Sequence, residues 1–179
     1  MSDLHEPLPV LFFASFLYHQ NKHNLDELKK LWSDRFGASL VFHHPYFPMK
    51  SYYSKEMGEE NKLSRFFIVA ETLQNRNQLV EHKIWADAQE RLFGPANARS
   101  VNIDPGYISL ENVILSTGKN YSHRVFLERG VYAELTLIFK QPSFCATSWC
   151  YPDYAHPEVI DFFNWTRQFL LVKVKGQKS

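Results

Sequence analysis

Two amphipathic helical segments, each set between apolar strand-like runs, constrain this chain more than any other feature. The run Val10–Tyr18 reads as a buried strand. Asn24 then stands at an N-cap with Glu27 three residues on, a capping-box arrangement, and Leu25, Leu28, Leu31, Trp32 and Phe36 follow helical spacing as far as Gly37. A second helix is expected from about Gln78 to Phe93, where Val80, Ile84, Ala88 and Leu92 recur at four-residue intervals before Gly94-Pro95. Further runs at Ser39–His43, Arg65–Glu71 and Ser100–Asp104 complete the order β-α-β-β-α-β, which matches a split β-α-β, ferredoxin-like sheet. The predicted class is α+β: a mostly antiparallel sheet with helices packed on one side. An added hairpin, His123–Leu127 with Val131–Phe139, extends the sheet or forms a second layer. A third helix starts at Pro157, a favourable first helical position.

Length and composition fit one domain over residues 1–179, with an ordered core from about residue 8 to 172. Fifteen Phe, nine Tyr and four Trp supply a core built from large rings. A net charge of +1 gives no electrostatic footprint for duplex nucleic acid. The apolar run at Val10 is about half of the ~20 residues a membrane span needs, and Asp3 and Glu6 precede it where a signal peptide would be basic. No membrane association is expected, and the reading is of a cytoplasmic protein. Two cysteines, Cys145 and Cys150, are too few for a disulfide framework. They read as reduced thiols, although their spacing with His156 could also recruit a metal.

Polar groups gather between Arg99 and Tyr154, along a stretch that otherwise reads as β-structure, where Asp, Asn, Lys and Glu are normally scarce. Glu128-Arg129-Gly130 reads as a three-residue hairpin loop that pairs Leu127 with Val131 and Val125 with Ala133. In that register Arg124 faces Glu134 directly, beside the Phe126–Tyr132 pair, while Val131, Ala133, Leu135 and Leu137 share the other face. An opposite-charge cross-strand pair needs no function. Alternatively, Glu134 holds the Arg124 guanidinium toward an anionic ligand, or Arg124 positions Glu134 for a cation. Lys119, His123 and Arg124, within six positions, would form a phosphate-binding edge.

Asp104-Pro105-Gly106 is a turn signal at a strand end, and Asn102 shares a face with Asp104. Turn chemistry accounts for it, or Asp104 is a general-base or Mg²⁺ carboxylate with Glu134 as its companion. Asp153 could sit at the N-terminus of the last helix, meeting its dipole. Tyr132, Trp149 and Tyr154 could instead wall a site on which an organic group stacks. Tyr52 to Gly58 reads as a packed connection.

Several nucleotide and hydrolase motifs are missing. Gly118-Lys119 is followed by Asn120 and lacks the leading Gly of a P-loop, Asn21-Lys22-His23-Asn24 lacks the acidic end of a guanine-specificity motif, and no G-x-S-x-G or H-E-x-x-H occurs. The ordered set Tyr52-Tyr53 with Glu56-Met57-Gly58, Asn102 to Tyr107, His123-Arg124 with Gly130, Tyr132-Ala133-Glu134 and Tyr151-Pro152-Asp153-Tyr154 resembles a bacterial and archaeal domain-of-unknown-function family. The resemblance runs from about Pro7 to Phe169, departing locally at Gln141-Pro142-Ser143. Members often carry the label "GTP-binding protein", which implies nucleotide binding. The missing motifs imply a mode unlike that of small GTPases.

Two functions follow. One is a site for a phosphorylated or nucleotide ligand, with Mg²⁺ as the candidate cofactor. Lys119, His123 and Arg124 would meet the anion, Asp104, His123 and Glu134 would do any catalysis, Asp104 and Glu134 would hold the metal, and Tyr132, Trp149, Asp153 and Tyr154 would line the site. The other is a non-catalytic binding or assembly module, since Tyr, Trp and Arg favour interfaces.

Overall fold

The computed structural model describes residues 3–44, 46–95 and 98–176. Among these residues eight strands form one antiparallel sheet: β1 (Val10–His19), β2 (Ser39–His43), β3 (Leu63–Gln74), β4 (Val101–Ile108), β5 (Asn112–Thr117), β6 (Arg124–Glu128), β7 (Val131–Lys140) and β8 (Ser143–Ala146). Four α-helices accompany them: α1 (Leu25–Phe36), α2 (Lys50–Met57), α3 (Leu79–Leu92) and α4 (Pro157–Gly176). The strand order β2-β3-β1-β4-β5-β7-β6, with β8 beside β7, contains the split β-α-β unit in its first four strands, and the α+β class is as expected. The expected hairpin extends the same sheet, its second strand β7 pairing with β5 on one side and with β6 and β8 on the other.

β1 is buried along its whole length because both faces of the sheet are covered. Its alternating side chains feed two cores. Ala14, Phe16 and Tyr18 pack under α1 and α3 with Trp32, Phe36 and Ala86. Leu11 and Phe13 pack under α4 with Val159, Phe163 and Leu170. The helices of the split unit thus share one side, as read from sequence, and the C-terminal helix adds a layer on the other.

Local chemistry explains most element ends. Asn24 accepts a hydrogen bond from the Glu27 amide at 2.9 Å, and Gly37, at φ 76°, ends α1. On α3 the buried residues are Leu79, Val80, His82 and Ala86, whereas Ile84 is exposed and Leu92 is 78% exposed. A four-residue step advances about 400° on a helix of 3.6 residues per turn, so a strict i+4 row drifts about 40° per step away from the core. The row Val80–Leu92 therefore starts inside and ends in solvent.

Four expectations are corrected. Asp104-Pro105-Gly106 is no turn: it lies within β4, paired with β1 as Ser15↔Asp104, Ala14↔Pro105 and Phe13↔Gly106. The β6–β7 loop is a two-residue turn, Arg129-Gly130, with φ 47° and 78°, as a type I′ turn requires. Leu127 becomes a bulge and Glu128 faces Val131, while Arg124↔Glu134, Val125↔Ala133 and Phe126↔Tyr132 hold as read. A second bulge, at Thr136 of β7, moves Leu137 to the face of Glu134 and into the α4 core, apart from Ala133 and Leu135. The segment read as a packed connection before β3 contains α2.

His82 is buried on α3. Its Nε2 reaches Gln74 Oε1 at 3.1 Å, and its Nδ1 lies 3.4 Å from the Arg35 guanidinium, a placement that suits the neutral ring. Burial, then Arg35, lowers its pKa to about 4. A folded-state value below the unfolded 6.5 means that the unfolded chain takes up the proton first, so stability is complete above pH 6.5 and falls toward pH 4. The expected loss from this residue is about 2 kcal/mol, read by urea unfolding across that range. In His82→Gln this part of the pH dependence disappears.

Candidate functional site

Antiparallel partners share a face, so the register places Arg65, Leu17 and Asn102 in one row, Phe67, Ser15 and Asp104 in the next, and Gly106, Leu115, Glu134 and Arg124 in a third. All belong to the face that α4 covers further along. The β4–β5 ladder runs from Ile108↔Val113 to Gly106↔Leu115 and stops at Pro105, which has no amide hydrogen to offer. Past that point the strands part. Ser116 Oγ bridges the start of the gap by donating to the Pro105 carbonyl at 2.7 Å, and the Ile103 amide, left without a β5 partner, donates to Glu90 Oε1 of α3 at 2.8 Å.

A cavity of about 350 Å³ occupies the gap. Its floor includes Ser15, Leu17, Arg65, Asn102, Asp104, Leu115 and Glu134. Phe47, Met49, Tyr52 and Tyr53, in and before α2, form one wall; Tyr151, Asp153 and Tyr154 form another; Thr117, Gly118 and Lys119 form a third, and Lys83, Asp87, Glu90 and Arg99 close the α3 side.

Two guanidiniums, Arg65 buried and Arg99 partly buried, hold this frame. Arg65 pairs with Asp153, donates from Nε to Ser15 Oγ at 2.6 Å, and lies 4.4 Å from the Phe67 ring centre and 5.0 Å from that of Tyr154. Burial lowers its pKa, and Tyr154 and Asp104 counteract that shift. Arg99 pairs with Glu56 at 3.0 Å and Glu90 at 3.4 Å and donates to Asn102 Oδ1 at 2.8 Å, and Asn102 Nδ2 donates to Asp104 Oδ2 at 2.6 Å. Burial raises Glu90, and Asp104 adds to the effect. Burial followed by the Asp104 charge raises the Tyr53 hydroxyl, while burial raises Tyr154 against the influence of Arg65. Both phenols stay neutral hydrogen-bond donors.

The third row ends in a clip. Arg124 donates from Nε to Glu134 Oε2 at 2.6 Å, from Nη1 to the Lys119 carbonyl at 3.0 Å and from Nη2 to the Tyr151 hydroxyl at 3.3 Å. It does not line the cavity itself; it fixes three residues that do. His123 also stands outside, 3.3 Å from Glu134 Oε2 and stacked on Trp149 at 5.1 Å, while the Trp149 indole donates to the Leu135 carbonyl at 2.7 Å. Tyr132 packs edge-on against Phe126. Of the residues expected at a site, Asp104, Lys119, Glu134, Asp153 and Tyr154 line the common cavity, whereas His123, Arg124, Tyr132 and Trp149 lie beside it.

Asp153 precedes α4 by several residues and, instead of meeting the helix dipole, is buried against Arg65. Glu134 is 2% exposed, and its Oε1, like Asp153 Oδ1, is buried with no hydrogen-bond partner. Both cysteines are free, and burial with the Glu134 charge pushes the Cys150 thiol up to about 12. Among the described residues no group of three His, Cys, Asp or Glu side chains converges as a metal site, and no helix is long and apolar enough to cross a membrane.

Sequence reading passed over Ser15, Arg65, Tyr53, Glu90 and Arg99 as site residues. The available signals were an arginine heading the apolar run Arg65–Ala70 and a proline and glycine inside a strand.

No curated protein and no solved structure matches this chain. A family model does, over residues 8–169, nearly the span of the sequence resemblance. The chain belongs to the family described as Domain of unknown function (DUF4416).

Proposed function

We propose that the protein binds a small phosphorylated or nucleotide ligand, in the cytoplasm, in the cleft between β4 and β5. The observation that carries this is a set of unpartnered polar atoms in one cleft, the Tyr154 hydroxyl among them. Glu134 Oε1 and Asp153 Oδ1 line a cavity of small-molecule size without donors of their own, while Lys119 stands at its mouth with no carboxylate partner among the described residues. A ligand with hydroxyl or amino groups inside and a phosphate at Lys119 completes both ends. The tyrosine walls suit a sugar or base between them. Mg²⁺ enters as a partner of the phosphate, with Asp104 and Glu134 the carboxylates on offer. These two stand two strands and one pleat apart across the gap, at least about 12 Å between Cα atoms by regular sheet spacing, so ligand oxygens and water would supply most of the shell.

Thermal melting against nucleotides and sugar phosphates, with and without Mg²⁺, tests this. A ligand at a hundred times its Kd stabilises by about 2.7 kcal/mol, which for a chain of this size raises Tm by roughly 5–10 °C. Lys119→Ala, at an exposed site, should melt with the wild type and lose most of the shift. No shift across the panel overturns the reading. It would favour an assembly module, for which edge strand β6 offers Val125 and Phe126, 67% and 57% exposed.

A further inference from the structure

Asp104 is the one carboxylate of this cavity floor without a cation: no Lys, Arg or His lies within 4.0 Å of it among the described residues, and Asn102 Nδ2 is its protein donor. The two guanidiniums nearby are already engaged, Arg65 by Asp153 and Ser15, and Arg99 by Glu56, Glu90 and Asn102. Tyr53, Tyr151 and Tyr154 line the same cavity, and the Asp104 charge acts on all three. A partly buried carboxylate in a tyrosine-lined cavity, with no cation in direct contact, is a setting that favours a cation from outside. The unpartnered oxygens Glu134 Oε1 and Asp153 Oδ1, on side chains more than nine-tenths buried in the same cavity, ask independently for donors. An ammonium group brings one positive charge and three N–H donors, and no acceptor that would compete with them.

We propose that the ligand is a phosphate ester that also carries a protonated amine, the ammonium at Asp104 among the tyrosines and the phosphate at Lys119. This rests on the phosphate reading above and gives Asp104 an ammonium in place of a metal ion. Titration calorimetry with two matched pairs tests it: glucosamine 6-phosphate against glucose 6-phosphate, and 2-aminoethyl phosphate against 2-hydroxyethyl phosphate. Within each pair, only –NH₃⁺ replaces –OH. The amine should bind at least about tenfold tighter in a pair that fits, in the presence of EDTA. Asp104→Asn should abolish that preference while keeping the hydroxyl compound's affinity, and Lys119→Ala should weaken both members. Equal binding within the pairs overturns the ammonium site and leaves the phosphate reading standing. A preference that needs Mg²⁺ also overturns it, by assigning Asp104 to the metal. Binding by neither pair, together with a flat melting panel, overturns both.

Discussion

Arg65→Met is expected to cost about 3–5 kcal/mol of folding stability, the largest effect of any single change on the floor of the cleft. The substitution keeps much of the side-chain volume and removes the charge. Asp153 would then be buried without a cation, Ser15 would lose its 2.6 Å donor, and the rings of Phe67 and Tyr154 would lose the guanidinium between them. The cost lies in stranding a partner, so Arg65→Met combined with Asp153→Leu should recover much of it. Urea unfolding of the four members of this cycle reads the coupling. A single-mutant loss under about 1 kcal/mol would mean that Asp153 finds solvent and that the inner wall is not closed.

Gly106→Ala is the second large effect, about 3 kcal/mol or more. A Cβ there would fall against the Ile114 carbonyl oxygen and 2.8 Å from the Phe13 ring, and neither can retreat, one being ladder backbone and the other packed under α4. Gly118→Ala is the contrast: the nearest heavy atom to its added Cβ is 4.0 Å away, so the change should stay within about 0.5 kcal/mol. Because Gly106↔Leu115 is the last rung before β4 and β5 part, Gly106→Ala should also reduce ligand binding, while a stable protein with unaltered binding would show that the ladder can shift without moving the cleft.

The fold was legible where local chemistry and burial agree. Asn24, Gly37 and Pro157 marked helix ends correctly, and the order of runs gave the split unit because each element carries its own periodicity. It was illegible where tertiary contacts override local signals. Asp104-Pro105-Gly106 has turn chemistry, yet the close approach of Phe13 and Ile114 holds it straight and explains the glycine. The Thr136 bulge cannot be seen from alternation, since one extra residue inverts every face beyond it. In the site, the Arg124–Glu134 pair was readable because a hairpin is local. The Arg65–Asp153 pair joins side chains 88 positions apart, read from their numbers, and no periodicity relates them.

Backbone amide NMR of the labelled chain, titrated with the phosphate ester that gives the largest melting shift, tests the central claim most directly. If the divergence of β4 and β5 makes the binding site, Tyr53, Asn102, Asp104, Gly118, Lys119 and Tyr151 should shift together and saturate at one concentration. Shifts confined to the β6 edge around Val125 and Phe126, with Asn102 and Gly118 unmoved, would contradict it.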